Sequence, residues 1–376
     1  MRKHILITND FPPKVGGIQS YLWELWRRLP SEDFFVHTTP FFGDKEFDSE
    51  QPFKISRSSK KVLLPNMKIN KNLEKLRKGI NPELIVWDPA FPLGVSAPWT
   101  EIPYALVLHG AELAIPGKLP LAKSLLANTL KKASLVICAG NYPAEEAERI
   151  AKQSLPIVVI PPGVDIERFS PANAFEKEEA RRSFEIPNTS MVILALTRLV
   201  PRKGVDVLIE AVKMLKENYP ELLLLIGGTG RDARRLEGLS KDLGSNVKFL
   251  GEISEEALPD LYRAADIFCM PCRSRWAGLE QEGFGIVFLE AAASGIPQIA
   301  GKSGGSADAV VDNETGFIID DPRNPRQLAQ SIQVLLENPV EIERMASNSR
   351  MRAKSNFSYE QLSKTLIKTL DSATLK

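Results

Sequence analysis

Short apolar runs alternate with helix-patterned stretches from one end of this chain to the other, and that alternation narrows the fold most. His4–Thr8, Leu84–Trp87, Tyr104–Leu108, Leu135–Cys138 and Ile157–Ile160 read as strands. NDFPPKVGG and then IQSYLWELWRRL follow the first, giving the strand, glycine loop and amphipathic helix that open a doubly wound α/β unit. PPGVDIERFSP, residues 161–171, is a proline-rich break. Beyond it the alternation restarts with Val192–Leu196, VDVLIEAVKMLKENYP, Leu222–Ile226, Val247–Gly251, EEALPDLYRAA, Asp266–Met270 and Pro297–Ala300. A chain of 376 residues exceeds one ordinary core. The expectation is α/β, with two Rossmann-like domains at 1–169 and 170–356. Residues 31–50 read as an acidic loop.

Bulk charge excludes little except a nucleic-acid partner, because the formal net charge is +1. Apolar runs stay far shorter than the roughly 20 residues of a membrane span, so a cytosolic chain without a transmembrane segment is expected. Charge is nevertheless uneven. Between Lys54 and Lys78 nine bases face one acid, Glu74, around an apolar centre, Val62–Leu64 and Met67. Such a segment suits an anionic membrane surface, or else a solvated helix face. Three cysteines make no disulfide framework. Cys269 and Cys272 are spaced C-x-x-C, but they end a strand-like run, and no partners with paired spacing complete a zinc site. Buried thiols are expected.

Candidate chemistry gathers in loops that follow strands. Gly16 and Gly17 stand where a loop meets a helix, fit to turn a phosphate toward free N–H groups or to make a tight turn. His109 directly follows Tyr104–Leu108, at the strand end where open α/β sheets collect ligands. Arg198 and Lys203 flank the turn after Val192–Leu196; a fork and a point charge there suit a diphosphate, or are solvated loop bases. In GLEQEGFGIVFLEAAASG, Glu282 precedes Gly283, Phe284, Gly285 and Ile286, and Glu290 follows inside an apolar run. Two carboxylates there are costly unless each has a partner. Gly228-x-Gly230-x-x-Ala233, with Glu252 after the next strand, imitates a dinucleotide fingerprint and keeps an NAD-dependent oxidoreductase as an alternative. That reading leaves Arg198, Lys203, Glu282 and Glu290 unused.

With NDFPPKVGGIQSYL, HGAEL, PPGVDIERF, TRLVPRKG, NVKFLG and EGFGIVFLEAAASGIPQIAGKSGG in this order, the chain resembles the retaining GT-B glycosyltransferases of family 4 essentially end to end. SRWAGLEQEGFGIVFLEA and IAGKSGG sharpen the likeness toward GDP-mannose-dependent phosphatidylinositol (monomannoside) mannosyltransferases. The resemblance implies a GT-B fold, two domains facing across a cleft, with a C-terminal helix in 357–376 returning to the first. It implies that Arg198 and Lys203 clamp the donor diphosphate and that Gly17, beside Gly16, adds a backbone N–H. Glu282 would hold the sugar, Glu290 the ribose, and His109 the region of the scissile bond, while Lys248 falls where the base is held, mainly by backbone groups. No Asp-x-Asp pair occurs, which fits a reaction with no metal and no cofactor beyond the sugar nucleotide. Retention without an obvious carboxylate nucleophile favours front-face attack. The implied enzyme is peripheral on the inner face of the plasma membrane, using a lipid-linked acceptor. A UDP-sugar donor, a soluble acceptor, or a silent sugar-nucleotide-binding protein remain as alternatives. Trp276, Gln281, Ala111 and the two cysteines depart from the pattern.

Overall fold

A computed structural model describes residues 1–66, 73, 80–275, 280 and 282–373. The chain divides into two compact units: Met1–Gly163 with the chain from Tyr359 onward, and Val164–Ser358. In the first unit the strands are β1 (His4–Thr8), β2 (Phe34–Thr38), β3 (Lys54–Arg57), β4 (Leu84–Asp88), β5 (Tyr104–Leu108), β6 (Leu135–Cys138) and β7 (Ile157–Val159). They form one parallel sheet in the order β3-β2-β1-β4-β5-β6-β7. Ile5, Leu6 and Ile7 have no exposed surface, as a central strand covered on both faces requires. Strand order reverses between β1 and β4, and that reversal leaves a crevice at their carboxyl ends.

Two stretches differ from expectation. Within 31–50, Phe34–Thr38 is β2, paired from His4↔Phe34 to Ile7↔His37, and Asp44–Glu50 is a helix. Acidic flanks hid a run whose burial comes from its neighbour, β1. The basic stretch begins as an edge strand, β3, and its Arg57 is consumed locally. The guanidinium reaches Asp48 at 2.6 Å and donates to the carbonyls of Pro12 and Thr39 at 2.7 and 2.9 Å. Lys68, Lys71, Lys75, Arg77 and Lys78 lie outside the described residues. The helix Tyr359–Ser372 packs Leu362, Leu366 and Leu370 into the cluster holding Leu22, Leu25 and Trp26 of the helix Gly17–Trp26.

The second unit repeats the plan with β8 (Met191–Leu196), β9 (Leu222–Gly227), β10 (Val247–Gly251), β11 (Ile267–Met270), β12 (Gln298–Gly301) and β13 (Gly316–Ile319). Its parallel sheet runs β10-β9-β8-β11-β12-β13, reversing between β8 and β11. The division between units precedes residue 169. Val164 and Phe169 are buried in the same cluster as Tyr262 and Phe357, and the Phe169 ring meets Tyr262 edge-on at 5.6 Å. The proline break is therefore only the start of the second unit, whose core claims the apolar residues behind it. Cys138, Cys269 and Cys272 are free and buried, and burial pushes all three thiols well above their usual range.

Candidate active site

In the second unit the reversal between β8 and β11 is bridged by charge. The loop after β8 runs into a single tight turn, Pro201–Lys203, then Gly204 and the helix Val205–Leu215. Gly204 holds φ +73°, and a Cβ there would lie 2.0 Å from the Pro271 carbonyl oxygen, so the loops after β8 and β11 touch backbone to backbone. That contact brings Lys203 Nζ to 2.8 Å from Glu282 Oε2, with both side chains only 8% exposed. Arg202 Nε stands 3.9 Å from the same oxygen, and the Cys272 thiol donates to it at 3.7 Å. Oε2 is thus engaged three times, whereas Oε1 carries no partner among the described residues. A buried ion pair is weak evidence of a stabilising device, since desolvation offsets most of its attraction. An oxygen left free beside one is better explained by a ligand.

The Glu282 loop rests on the S-G-G turn. Glu282 N–H donates to Ser303 Oγ at 3.4 Å, and its carbonyl accepts from Gly305 N–H at 3.1 Å. A Cβ on Gly305 would fall 1.9 Å from the Gly283 oxygen, so this support demands glycine. Gly283 is exposed; Phe284 is buried with its ring 5.8 Å from Phe357; Gly285 takes φ +84° and starts the helix Ile286–Ala293. No side chain caps that helix, which leaves its first N–H groups free for an anion at its mouth. Glu290, within it, accepts from Tyr262 Oη at 2.7 Å, and burial pushes its carboxyl up to about 7 despite that bond. Arg198 is exposed and unpaired among the described residues, following the end of β8. Trp276 and Gln281 lie outside the described residues.

Lys248 is not part of this constellation. It is the second residue of β10, and its amine donates to the Phe184 carbonyl at 2.8 Å and pairs with Glu185 at 2.9 Å. Phe184 and Glu185 precede β8, so the side chain serves the amino end of the sheet, opposite to Arg198 and Lys203. The dinucleotide-like glycines also have local work. Cβ atoms on Gly228 and Gly230 would lie 2.0 and 2.2 Å from the Thr197 and Leu199 oxygens. Leu199 N–H donates to the Thr229 carbonyl at 2.8 Å. The loop after β9 thereby braces the loop that carries Arg198.

In the first unit His109, after β5, places Nε2 2.7 Å from Asp88 Oδ1, and Asp88 is the fully buried last residue of β4. Thr8, ending β1, donates to Asp88 Oδ2 at 2.7 Å. The Tyr21 ring meets the imidazole edge-on at 5.3 Å, and Glu112 accepts from the His109 backbone N–H at 2.6 Å. Tyr21 lies on the helix that begins at Gly17, with Gly16 before it in extended conformation and no side chain capping the helix start. These residues share the carboxyl edge of β1, β4 and β5. Asp88 was missed in the sequence, although a lone acid ending an apolar run at that edge was a usable signal. Ser303 was visible only as part of an S-G-G motif. His4, by contrast, is buried, accepts from Trp26 Nε1 at 3.0 Å, and is held near 4 by burial.

Burial works against a charged His109, but the charge and hydrogen bond of Asp88, with Glu112 behind, outweigh it and raise the ring above its ordinary 6.5. A raised folded value means this ion pair adds stability that is fully present below about 6.5 and is lost as pH rises through the folded value. In an Asp88→Asn variant the His109 titration, followed by NMR, is expected to move downward. The fall in stability on raising the pH past 6.5 should shrink with it. An unmoved titration would remove Asp88 as the cause.

The chain matches the family model described as Glycosyltransferase Family 4 over residues 15–168 and that described as Glycosyl transferases group 1 over 176–352. It is 34% identical over 348 residues, 89% of each chain, to a GDP-mannose-dependent alpha-(1-6)-phosphatidylinositol monomannoside mannosyltransferase of Mycobacterium tuberculosis. Over 377 residues it is 31% identical to the GDP-mannose-dependent monoacylated alpha-(1-6)-phosphatidylinositol monomannoside mannosyltransferase of Corynebacterium glutamicum, covering 99% and 98% of the two. Among solved structures, Anabaena HepE in complex with UDP shares its fold with a TM-score of 0.80 at 20% identity, covering 98% of this chain and all of that one. WaaG, a glycosyltransferase involved in lipopolysaccharide biosynthesis, does so at 0.67 and 20% identity, covering 96% and 98%.

Proposed function

This chain belongs to the family 4 glycosyltransferases and is a hexosyltransferase of GT-B fold, and from that premise we propose that it transfers mannose from GDP-mannose to a phosphatidylinositol-mannoside-type lipid. The transfer chemistry rests on one observation: a buried Lys203–Glu282 pair whose second carboxylate oxygen, without a partner among the described residues, lies at the strand-order reversal that also carries the exposed Arg198. Donor and acceptor rest on relatives at 31 to 34% identity over most of the chain.

Glu282 Oε1 accepts from hydroxyls of the donor sugar. Lys203 has three donors, one spent on Glu282, and turns the others toward the diphosphate beside Arg198. Glu290 accepts from the ribose hydroxyls in the same nucleotide, and N–H groups at the start of the helix at Ile286 add partial positive charge for its phosphates. As the bond from the anomeric carbon to the phosphate oxygen breaks, its electron pair goes to the diphosphate, and Arg198 and Lys203 stabilise that charge. The acceptor hydroxyl attacks from the same face and its proton passes to the departing phosphate oxygen, so configuration is retained. These cations take the part a metal plays elsewhere, and no resident cofactor is required. In the first unit His109, its Nε2 held by Asp88, is the proposed contact to the reacting group. No helix among the described residues is long and apolar enough to cross a membrane. A lipid acceptor supports a peripheral enzyme on the inner face of the plasma membrane.

Calorimetry with GDP, UDP and GDP-mannose, followed by mass spectrometry of products from inositol-lipid and soluble acceptors, tests this reading. GDP binding and a mannosylated lipid are expected. Micromolar UDP binding with none for GDP would move the donor to a UDP-sugar, product on soluble acceptors alone would remove the lipid, and binding without turnover would leave a silent sugar-nucleotide binder.

A further inference from the structure

Two polar side chains of the second unit meet inside its apolar core, away from the Lys203–Glu282 pair. Glu290 lies within the helix Ile286–Ala293 and Tyr262 on the helix Leu258–Ala264, and Tyr262 Oη donates to Glu290 Oε2 at 2.7 Å. Tyr262 has no exposed surface. Its ring is set edge-on to Phe169 at 5.6 Å and tilted against Phe268 at 6.1 Å, so the phenol cannot swing away and Oε2 is held. Oε1 has no partner among the described residues, and Glu290 keeps part of its surface exposed. Phenylalanine would fill the same apolar pocket. A hydroxyl there costs desolvation unless it is bonded, and its short bond goes to an acid whose other oxygen is left for a ligand.

The proton of this bond stays on the phenol, because burial and then the charge of Glu290 push Tyr262 well above its usual range. Oη also lies 3.3 Å from the Val287 carbonyl oxygen. The hydroxyl therefore has a seat for its proton in either state of the acid: toward Glu290 when that is ionised, toward Val287 when Glu290 is protonated and itself donates to Oη. Burial raises Glu290 to about 7, the Tyr262 bond draws it back, Glu255 raises it and Arg168 lowers it. Arg168 and Glu255 pair with each other at 2.9 Å, so their influences oppose. On the other flank, in the helix Pro339–Asn356, Arg350 donates to the Phe169 and Ala293 carbonyls. Arg352 donates to those of Asp308 and Ala309 and faces the Asp308 charge. Among these neighbours Tyr262 does most to favour the ionised form of Glu290.

We propose that Tyr262 is a positioning residue for the donor: it fixes Glu290 Oε2 and so presents Oε1, ionised, to the ribose hydroxyls. The inference rests on Glu290 as the ribose acceptor and gives that grip a pH dependence. A charged acceptor bonds a hydroxyl more strongly than a neutral one. The ribose contribution to binding is therefore full above about 7 and lost as pH falls through it. Removing the phenol removes a bond to the charged form and moves that loss to higher pH.

Calorimetry on the full chain with GDP and 2′,3′-dideoxy-GDP tests it, because the affinity ratio of the two isolates the ribose hydroxyls and cancels protonation of the phosphates. In the parent the ratio is expected to fall about three- to tenfold between about pH 8 and about pH 6. Tyr262→Phe keeps the ring against Phe169 and Phe268; near neutral pH it should lower the ratio at least about threefold and shift its fall to higher pH. Glu290→Gln should give a low ratio that no longer varies with pH. Added to Glu290→Gln, Tyr262→Phe should change nothing further, since it acts through that acid. The double variant strands no carboxylate, so it decides the matter if Tyr262→Phe alone does not fold. A parent ratio unchanged over that pH range, a folded Tyr262→Phe with the parent's ratio and profile, or losses that add in the double variant would each overturn the positioning role. With GDP still bound, those outcomes leave the proposed function standing. UDP binding in place of GDP removes the GDP-mannose donor instead, and the same variants with UDP and its dideoxy analogue then test Tyr262. Binding of neither nucleotide would overturn both.

Discussion

Arg198→Ala is expected to lower kcat/KM for sugar transfer about 100- to 1,000-fold, the range seen when a charge-stabilising donor is removed from a transition state. Its thermal midpoint should stay within about 2 °C of the parent, because an exposed substitution away from packed features costs at most roughly 0.5 kcal/mol. Arg198 is exposed and has no partner among the described residues, so nothing in the fold depends on it. The loop beneath it is held by backbone contacts at Thr197 and Leu199 that the substitution leaves alone. Arg198→Lys should recover only part of the rate, since a point charge cannot reproduce a fork against two phosphate oxygens. Steady-state kinetics beside calorimetry decides the matter. Unchanged kinetics would remove Arg198 from the site, and a midpoint lowered by many degrees would make its role structural.

Glu282→Ala carries the other large effect, and here stability and activity fall together. The substitution strands the buried ammonium of Lys203, and breaking a buried pair from one side costs about 3–5 kcal/mol. Transfer should fall at least about 100-fold, because the free oxygen that meets the sugar disappears with the carboxylate. Glu282→Ala combined with Lys203→Met separates the two losses. The double variant should regain most of the stability lost by Glu282→Ala, since the stranded ammonium is gone as well, yet regain no activity. If activity returned with stability, Glu282 would be a device of the fold rather than of the reaction. If Glu282→Ala melted like the parent, the buried pair would contribute nothing.

Strand positions were legible because apolar runs are local signals, and most of the expected runs recur within a residue or two in the sheets. Phe34–Thr38 was not. Its flanks are acidic, and a strand beside β1 is defined by the partner that buries it rather than by its own pattern. Lys248 shows the same limit for function. Its place in NVKFLG marks where relatives hold the base mainly by backbone groups, but side-chain direction along a strand is set by register, and the register sends its amine to Glu185, leaving only the backbone for that part. The dinucleotide-like glycines answer to a packing demand from Thr197 and Leu199 that no spacing rule contains.

The sequence alone determined the α/β alternation, the restart after the proline break, and the residue types at each strand-following loop: His109, Arg198, Lys203, Glu282 and Glu290. All of these follow from local composition or from motif order. Tertiary structure alone decided that Lys203 and Cys272 converge on one oxygen of Glu282 and leave the other without a partner among the described residues. It also decided that Asp88 Oδ1 meets His109 Nε2 and raises the ring's pKa, and that the second core begins at Val164. Those outcomes depend on strand order and on backbone contacts between loops distant in sequence. The balance between desolvation and pairing that fixes a buried charge exists only once such loops have met.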